Sequence, residues 1–135
     1  MAALTKDRAT PYRDGIEIDF PVAANIKIFA GSLVCANTSG YAVPAADTAG
    51  LKFLGVALEQ VDNTGGANGA KKVRVRRTGA FEFDAASITQ AMVGSSMYVM
   101  DDHTIDDATG PSNDIRVGIL VKYVADTKGW IDITG

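Results

Sequence analysis

The feature that most constrains this chain is the close recurrence of turn-forming clusters, which leaves no room for a long element between them. Asn37-Thr-Ser-Gly40, Asp47-Thr-Ala-Gly50, Asn63-Thr-Gly-Gly66, Gly110-Pro-Ser-Asn113 and Asp126-Thr-Lys-Gly129 each supply residues able to start a turn or adopt positive φ. Between the clusters, apolar residues recur with a period of two. Ile16, Ile18, Phe20 and Val22 alternate with Glu17, Asp19 and Pro21, the pattern of a half-buried strand that Pro21 confines to an edge. The same reading places strands at 27–29, 32–36, 41–43, 52–61, 72–77, 80–84, 96–100, 116–124 and 130–133. Many short strands with regular turns predict an all-β fold, a single antiparallel β sandwich or small barrel, jelly-roll-like, with at most one short helix. Residues 85–92 have helical texture, with Ser87 as the cap, but two turns cannot form a layer against a sheet. The glycine-rich stretch 62–70 predicts a surface loop linking two antiparallel strands as a long hairpin.

Residues 1–15 break this pattern. Lys6, Asp7, Arg8, Pro11, Arg13 and Asp14 carry no apolar periodicity and describe an extended arm ahead of one β domain at 16–135. Leu4, Pro11 and Tyr12 beside Lys6, Arg8 and Arg13 equip that arm for apolar and charged contacts with a partner. The domain has apolar matter to bury, at 47% hydrophobic residues, but alanine and 14 glycines supply much of it and aromatics only 7%, so partner subunits are expected to add stability. A net charge of -3 offers no global attraction to nucleic acid or anionic membrane. There is no apolar leader segment, and no run approaches the roughly 18 apolar residues of a membrane span, so synthesis in a cytoplasm is expected. The lone Cys35 lies in the apolar run Leu33-Val-Cys-Ala36 and reads as buried filler; one cysteine forms no intrachain disulfide.

Catalytic constellations are not apparent. His103 is the only histidine, sits in polar Asp101-Asp-His-Thr104 and has no G-x-S-x-G serine to serve. Gly65-Gly-Ala-Asn-Gly-Ala-Lys-Lys72 lacks the P-loop spacing and leads into a strand. Asp101, Asp102, Asp106 and Asp107 offer oxygens for calcium but not the EF-hand order or its closing glutamate, and read as a solvated turn. No catalytic residue, metal or cofactor is therefore expected. The densest charge is basic, with five of the 13 Lys and Arg at 71–77. Alternation turns Val73 and Val75 inward and lines Lys72, Arg74 and Arg76 along one outer face, a ridge suited to solvent or to a protein contact rather than to nucleic acid, since no aromatics interleave it.

In order along the chain, Arg13-Asp-Gly15, Phe20-Pro-Val-Ala23, Lys27-Ile-Phe-Ala-Gly31, Leu33-Val34, Gly40-Tyr-Ala42, Gly55-Val-Ala57, Val61-Asp-Asn63, Gly79-x-Phe81-x-Phe83, Tyr98-Val-x-Asp-Asp102 and Val117-Gly-Ile119 resemble the small capsid decoration, or cement, proteins of tailed bacteriophages and prophages. The resemblance spans nearly the whole sequence. It implies a non-enzymatic compact β domain with an N-terminal arm, added to the outside of an assembled head in the virion, where it locks neighbouring major capsid protein subunits together. It also implies symmetric homo-oligomers at local symmetry axes; a trimer is expected ahead of a dimer, with the ridge near Arg74 and Arg76 set against acidic loops near Asp101 and Asp107 of a symmetric partner. A tail or baseplate β module is the nearest alternative, then a carbohydrate-binding β sandwich, with a small hydrolase last.

Overall fold

A computed structural model describes residues 2–10 and 15–134. Its strands, in chain order, are β1 (Glu17–Pro21), β2 (Lys27–Ile28), β3 (Leu33–Ala36), β4 (Ala42–Pro44), β5 (Lys52–Ala57) and β6 (Val61–Asp62). They continue with β7 (Lys72–Arg76), β8 (Ala80–Ala85), β9 (Ser96–Val99), β10 (Thr104–Asp106), β11 (Arg116–Ala125) and β12 (Lys128–Asp132). The fold is all-β. One antiparallel sheet runs β1-β7-β5-β3-β4, while β10-β8-β12-β11-β9 closes into a barrel and β2 pairs with β6 as a ribbon. Just past β1, Val22 bridges to Ala42 of β4, so the open sheet curls back towards its own first strand.

Each body has its own apolar interior, and β3 serves both. Val34 joins Val22, Ile28, Ala42, Val73 and Val75 inside the curled sheet. Its neighbours Leu33 and Cys35 point the other way and join the barrel interior of Met97, Val99, Ile105, Leu120 and Ile131. That two-sided burial explains why Leu33-Val-Cys reads as an unbroken apolar run. The inward placement of Val73 and Val75 and the burial of Cys35 are as the alternation predicts. Desolvation pushes the Cys35 thiol up to about 12, so it is a filler protonated at neutral pH.

Four local expectations are corrected. The single strand at 52–61 is two, because Leu58 N–H turns to donate to the Arg74 carbonyl and β6 leaves to pair with β2. The helix at 85–92 is the end of β8 followed by one 3-10 turn, Gln90–Met92, whose N-cap is Thr89 rather than Ser87. Its backbone donors are used across the barrel: Ala85 and Ile88 N–H reach Thr127 and Asp126 carbonyls, and Ala86 N–H reaches Ile105. The polar 101–107 segment contains a strand, β10, held parallel to β8 and antiparallel to β9 with Ile105 inside.

The 62–70 loop is no hairpin, since β6 pairs with β2 while β7 pairs with β1 and β5. A buried side chain, Asn63, organises it instead: its Nδ2 donates to the carbonyls of Ala23 at 2.9 Å and Ala67 at 3.0 Å. Gly66 must be glycine here, because a Cβ would sit 2.1 Å from Asn63 Oδ1.

Candidate functional site

The sequence-predicted contact residues fall in two places. Leu4, Lys6 and Arg8 lie in the described part of the arm, 2–10, every residue of which is exposed and outside any strand. Leu4 is 73% exposed, a large apolar side chain given over to solvent. Among the described residues Arg8 is held locally, donating from Nη1 to Thr10 Oγ1 while Thr10 N–H donates to the Arg8 carbonyl. Pro11, Tyr12 and Arg13 lie outside the described residues.

Arg74 and Arg76 project from β7, and the structure answers what faces them. The antiparallel register sets Asp19 opposite Arg74 and Glu17 opposite Arg76, with guanidinium–carboxylate distances of 3.7 and 3.8 Å. Cross-strand pairs this exposed contribute about 0–1 kcal/mol each. Their effect is on the surface: the basic ridge is one side of a mixed-charge ladder. A phosphate backbone laid along it would meet a carboxylate beside each of these arginines. The arginines expected to seek acidic loops on a symmetric partner have acids beside them in their own chain.

His103 sits in the β9–β10 turn. Its Nδ1 lies 2.9 Å from Asp84 Oδ2 on β8 and 3.2 Å from Thr104 Oγ1, and Nε2 lies 3.5 Å from Asp101 Oδ1. The hydrogen bond to Asp84 raises the imidazole pKa above its ordinary value, aided by the charges of Asp101, Asp84 and Asp102. The geometry favours the protonated imidazole among carboxylates; a nucleophile–base pair needs hydroxyl and orienting acid on opposite nitrogens, whereas Thr104 and Asp84 share one. Of the four acids read as one turn cluster, only Asp101 and Asp102 bring oxygens within 4.8 Å of each other and of a His103 nitrogen, among the described residues. Asp106 is buried and accepts from Asp107 N–H, and Asp107 accepts from Thr109.

Two surfaces escaped the sequence reading. A cleft of about 370 Å³ between the bodies has Phe53, Leu54, Val117 and Ile133 along its walls and Arg77 and Arg116 at its rim. Arg77 Nε donates to the Leu54 carbonyl, and Arg116 Nε donates to Ser96 Oγ. The other surface is the outer wall of the barrel, where Ile119, Val121, Val124 and Trp130 are all exposed. Bulges cause this. Register slips after Leu120 and Tyr123 insert Val121 and Val124 as extra residues on β11, and both remain in solvent. The available signal was the run Ile119-Leu-Val-Lys-Tyr-Val124, too continuously apolar for a strand with one buried face.

Among the described residues no helix is long and apolar enough to cross a membrane. Neither the protein-family models nor the curated proteins include a match to this chain.

Proposed function

We propose that this chain is a non-enzymatic structural protein of a tailed-phage virion, one that attaches to the outer surface of the head and stabilises contacts between major capsid protein subunits. The carrying observation is the exposure of every residue in the described part of the arm, 2–10, with Leu4 at its surface, ahead of a β body with apolar interiors of its own. A segment that leaves Leu4, Lys6 and Arg8 in solvent buries none of these side chains in its own chain and gains by lying across another subunit or adding a strand to its edge. The ordering entropy it loses is offset when many copies bind one shell at once. In this reading the body is the wedge and the arm the clamp, the copies assemble as a homo-oligomer at local symmetry axes, and no cofactor takes part.

The test is removal of residues 2–14. The truncated chain should keep the β circular-dichroism spectrum of the full chain, bind heads at least about tenfold more weakly, and lose its protection of heads against heat. Unchanged occupancy and head stability would make the arm a dispensable leader and overturn the clamp.

A further inference from the structure

The outer wall of the barrel carries a charge pattern that one operation makes self-complementary. Trp130 lies on β12 with Glu82 beside it on β8 and Lys122 beside it on β11, each one strand away at about 4.8 Å. Along β12 itself, Lys128 and Asp132 flank Trp130 two residues to either side, on the same face, about 7 Å away. Four charges thus form a cross around one aromatic ring, with the two acids on adjacent arms and the two lysines on the other two. Among the described residues none of the four makes an ion pair within the chain.

Reflecting such a cross over the diagonal between Glu82 and Lys128 exchanges each acid for an adjacent lysine. In three dimensions that exchange is a two-fold rotation about an axis lying in the contact plane, which places two copies of the wall face to face with their strands crossing near a right angle, one of the two ways sheets pack. We infer that this wall is a two-fold contact between copies of this chain, with Trp130 on Trp130, Glu82 on Lys128 and Lys122 on Asp132 of the second copy. Ile119, beside Asp132, lies on the same diagonal, so it meets its own counterpart and extends the apolar centre; Asp84, beside Lys128 at the other end of the diagonal, also meets its counterpart, each carboxylate 2.9 Å from His103 Nδ1 of its own chain. Parallel or antiparallel alignment of the strands would set like charges together: Lys128 on Lys128 in the first, Glu82 on Glu82 in the second. The crossed arrangement makes four opposite-charge contacts against one like pair at Asp84, whereas each aligned one makes two opposite and two like, so the pattern selects the crossing angle as well as the partner. Two convex barrel walls touch over a small area, which makes the contact a weak one, strengthened wherever copies are concentrated.

The contact belongs to the free chain and does not depend on the proposed attachment to heads, so the two can fail separately. Sedimentation equilibrium of the full chain should show a monomer–dimer equilibrium below about 1 mM. By symmetry each substitution acts twice, so Lys128→Glu and Glu82→Lys should each weaken the dimer at least about tenfold, and the double variant should return to within about threefold of the starting chain. Denaturant unfolding of the three variants checks that their monomers are intact. A chain monomeric throughout that range overturns the inference, as does an oligomer indifferent to either reversal, or a double variant no tighter than the single ones.

Discussion

Replacing Asn63 by alanine removes a side chain that ties three segments of the first body together. Asn63 is buried, its Nδ2 donates to Ala23 and Ala67 carbonyls at 2.9 and 3.0 Å, and Val22 carbonyl lies at a marginal 3.5 Å. Two of these acceptors keep other donors, since Gly69 N–H reaches Val22 and Ala70 N–H reaches Ala67. The Ala23 carbonyl, in a buried residue, keeps none among the described residues. Two lost hydrogen bonds at about 1 kcal/mol each, plus at least about 1 kcal/mol for an orphaned carbonyl, give about 3 kcal/mol. That is a large part of the stability of a small domain. Asn63→Asp should cost more at neutral pH, because an oxygen then faces carbonyl oxygens. The new carboxyl would have a raised pKa in the folded state, so its penalty is least below about pH 4 and grows as pH rises through the folded value. Urea unfolding followed by circular dichroism measures both. A loss below about 0.5 kcal/mol for Asn63→Ala, or an Asn63→Asp penalty independent of pH, would refute the assignment.

Other expectations follow from single contacts. Gly118→Ala places a Cβ 2.1 Å from the Asp132 carbonyl oxygen and should cost about 3 kcal/mol or prevent the β11–β12 pairing, read by the same unfolding curves; a neutral effect would contradict the close approach. Cys35, with its thiol at about 12, should react with thiol reagents roughly a thousandfold more slowly than a free thiol until the chain unfolds, and ready labelling of the native protein would contradict its burial. His103 should titrate above 6.5 by NMR and fall towards it in Asp84→Asn; its pairing stabilises fully below the unfolded value and fades as pH rises through the folded one, and an unshifted titration in the variant would remove Asp84 as the cause.

How far the sequence reached depended on whether the structure-making signal was local. Strands with one buried face, such as Val73 and Val75 between Lys72, Arg74 and Arg76, were legible because alternation is a property of consecutive residues. The ladder of Asp19 and Glu17 against those arginines used the same alternation on two strands, but register is set by the tertiary fold, so the ridge looked more basic than it is. β10 was illegible because three residues with one apolar side chain form a strand only where β8 and β9 supply edges for them. The 62–70 loop misled because glycines and asparagines signal a turn without saying where it goes, and Asn63 tied it to Ala23 instead. The barrel's outer wall was hidden by bulges at Val121 and Val124, which break the alternation along β11 and leave only an unusually apolar run as a mark.

The central claim is attachment to the outside of a phage head. The most direct measurement adds purified chain to heads assembled without it, from the major capsid protein encoded in the same genome, and images the particles by electron cryomicroscopy with icosahedral averaging. The account predicts density for the β body at repeated positions on the outer surface near local symmetry axes, with the arm continuing onto a neighbouring subunit. Bare heads at saturating protein, or binding to tails in place of heads, would contradict it.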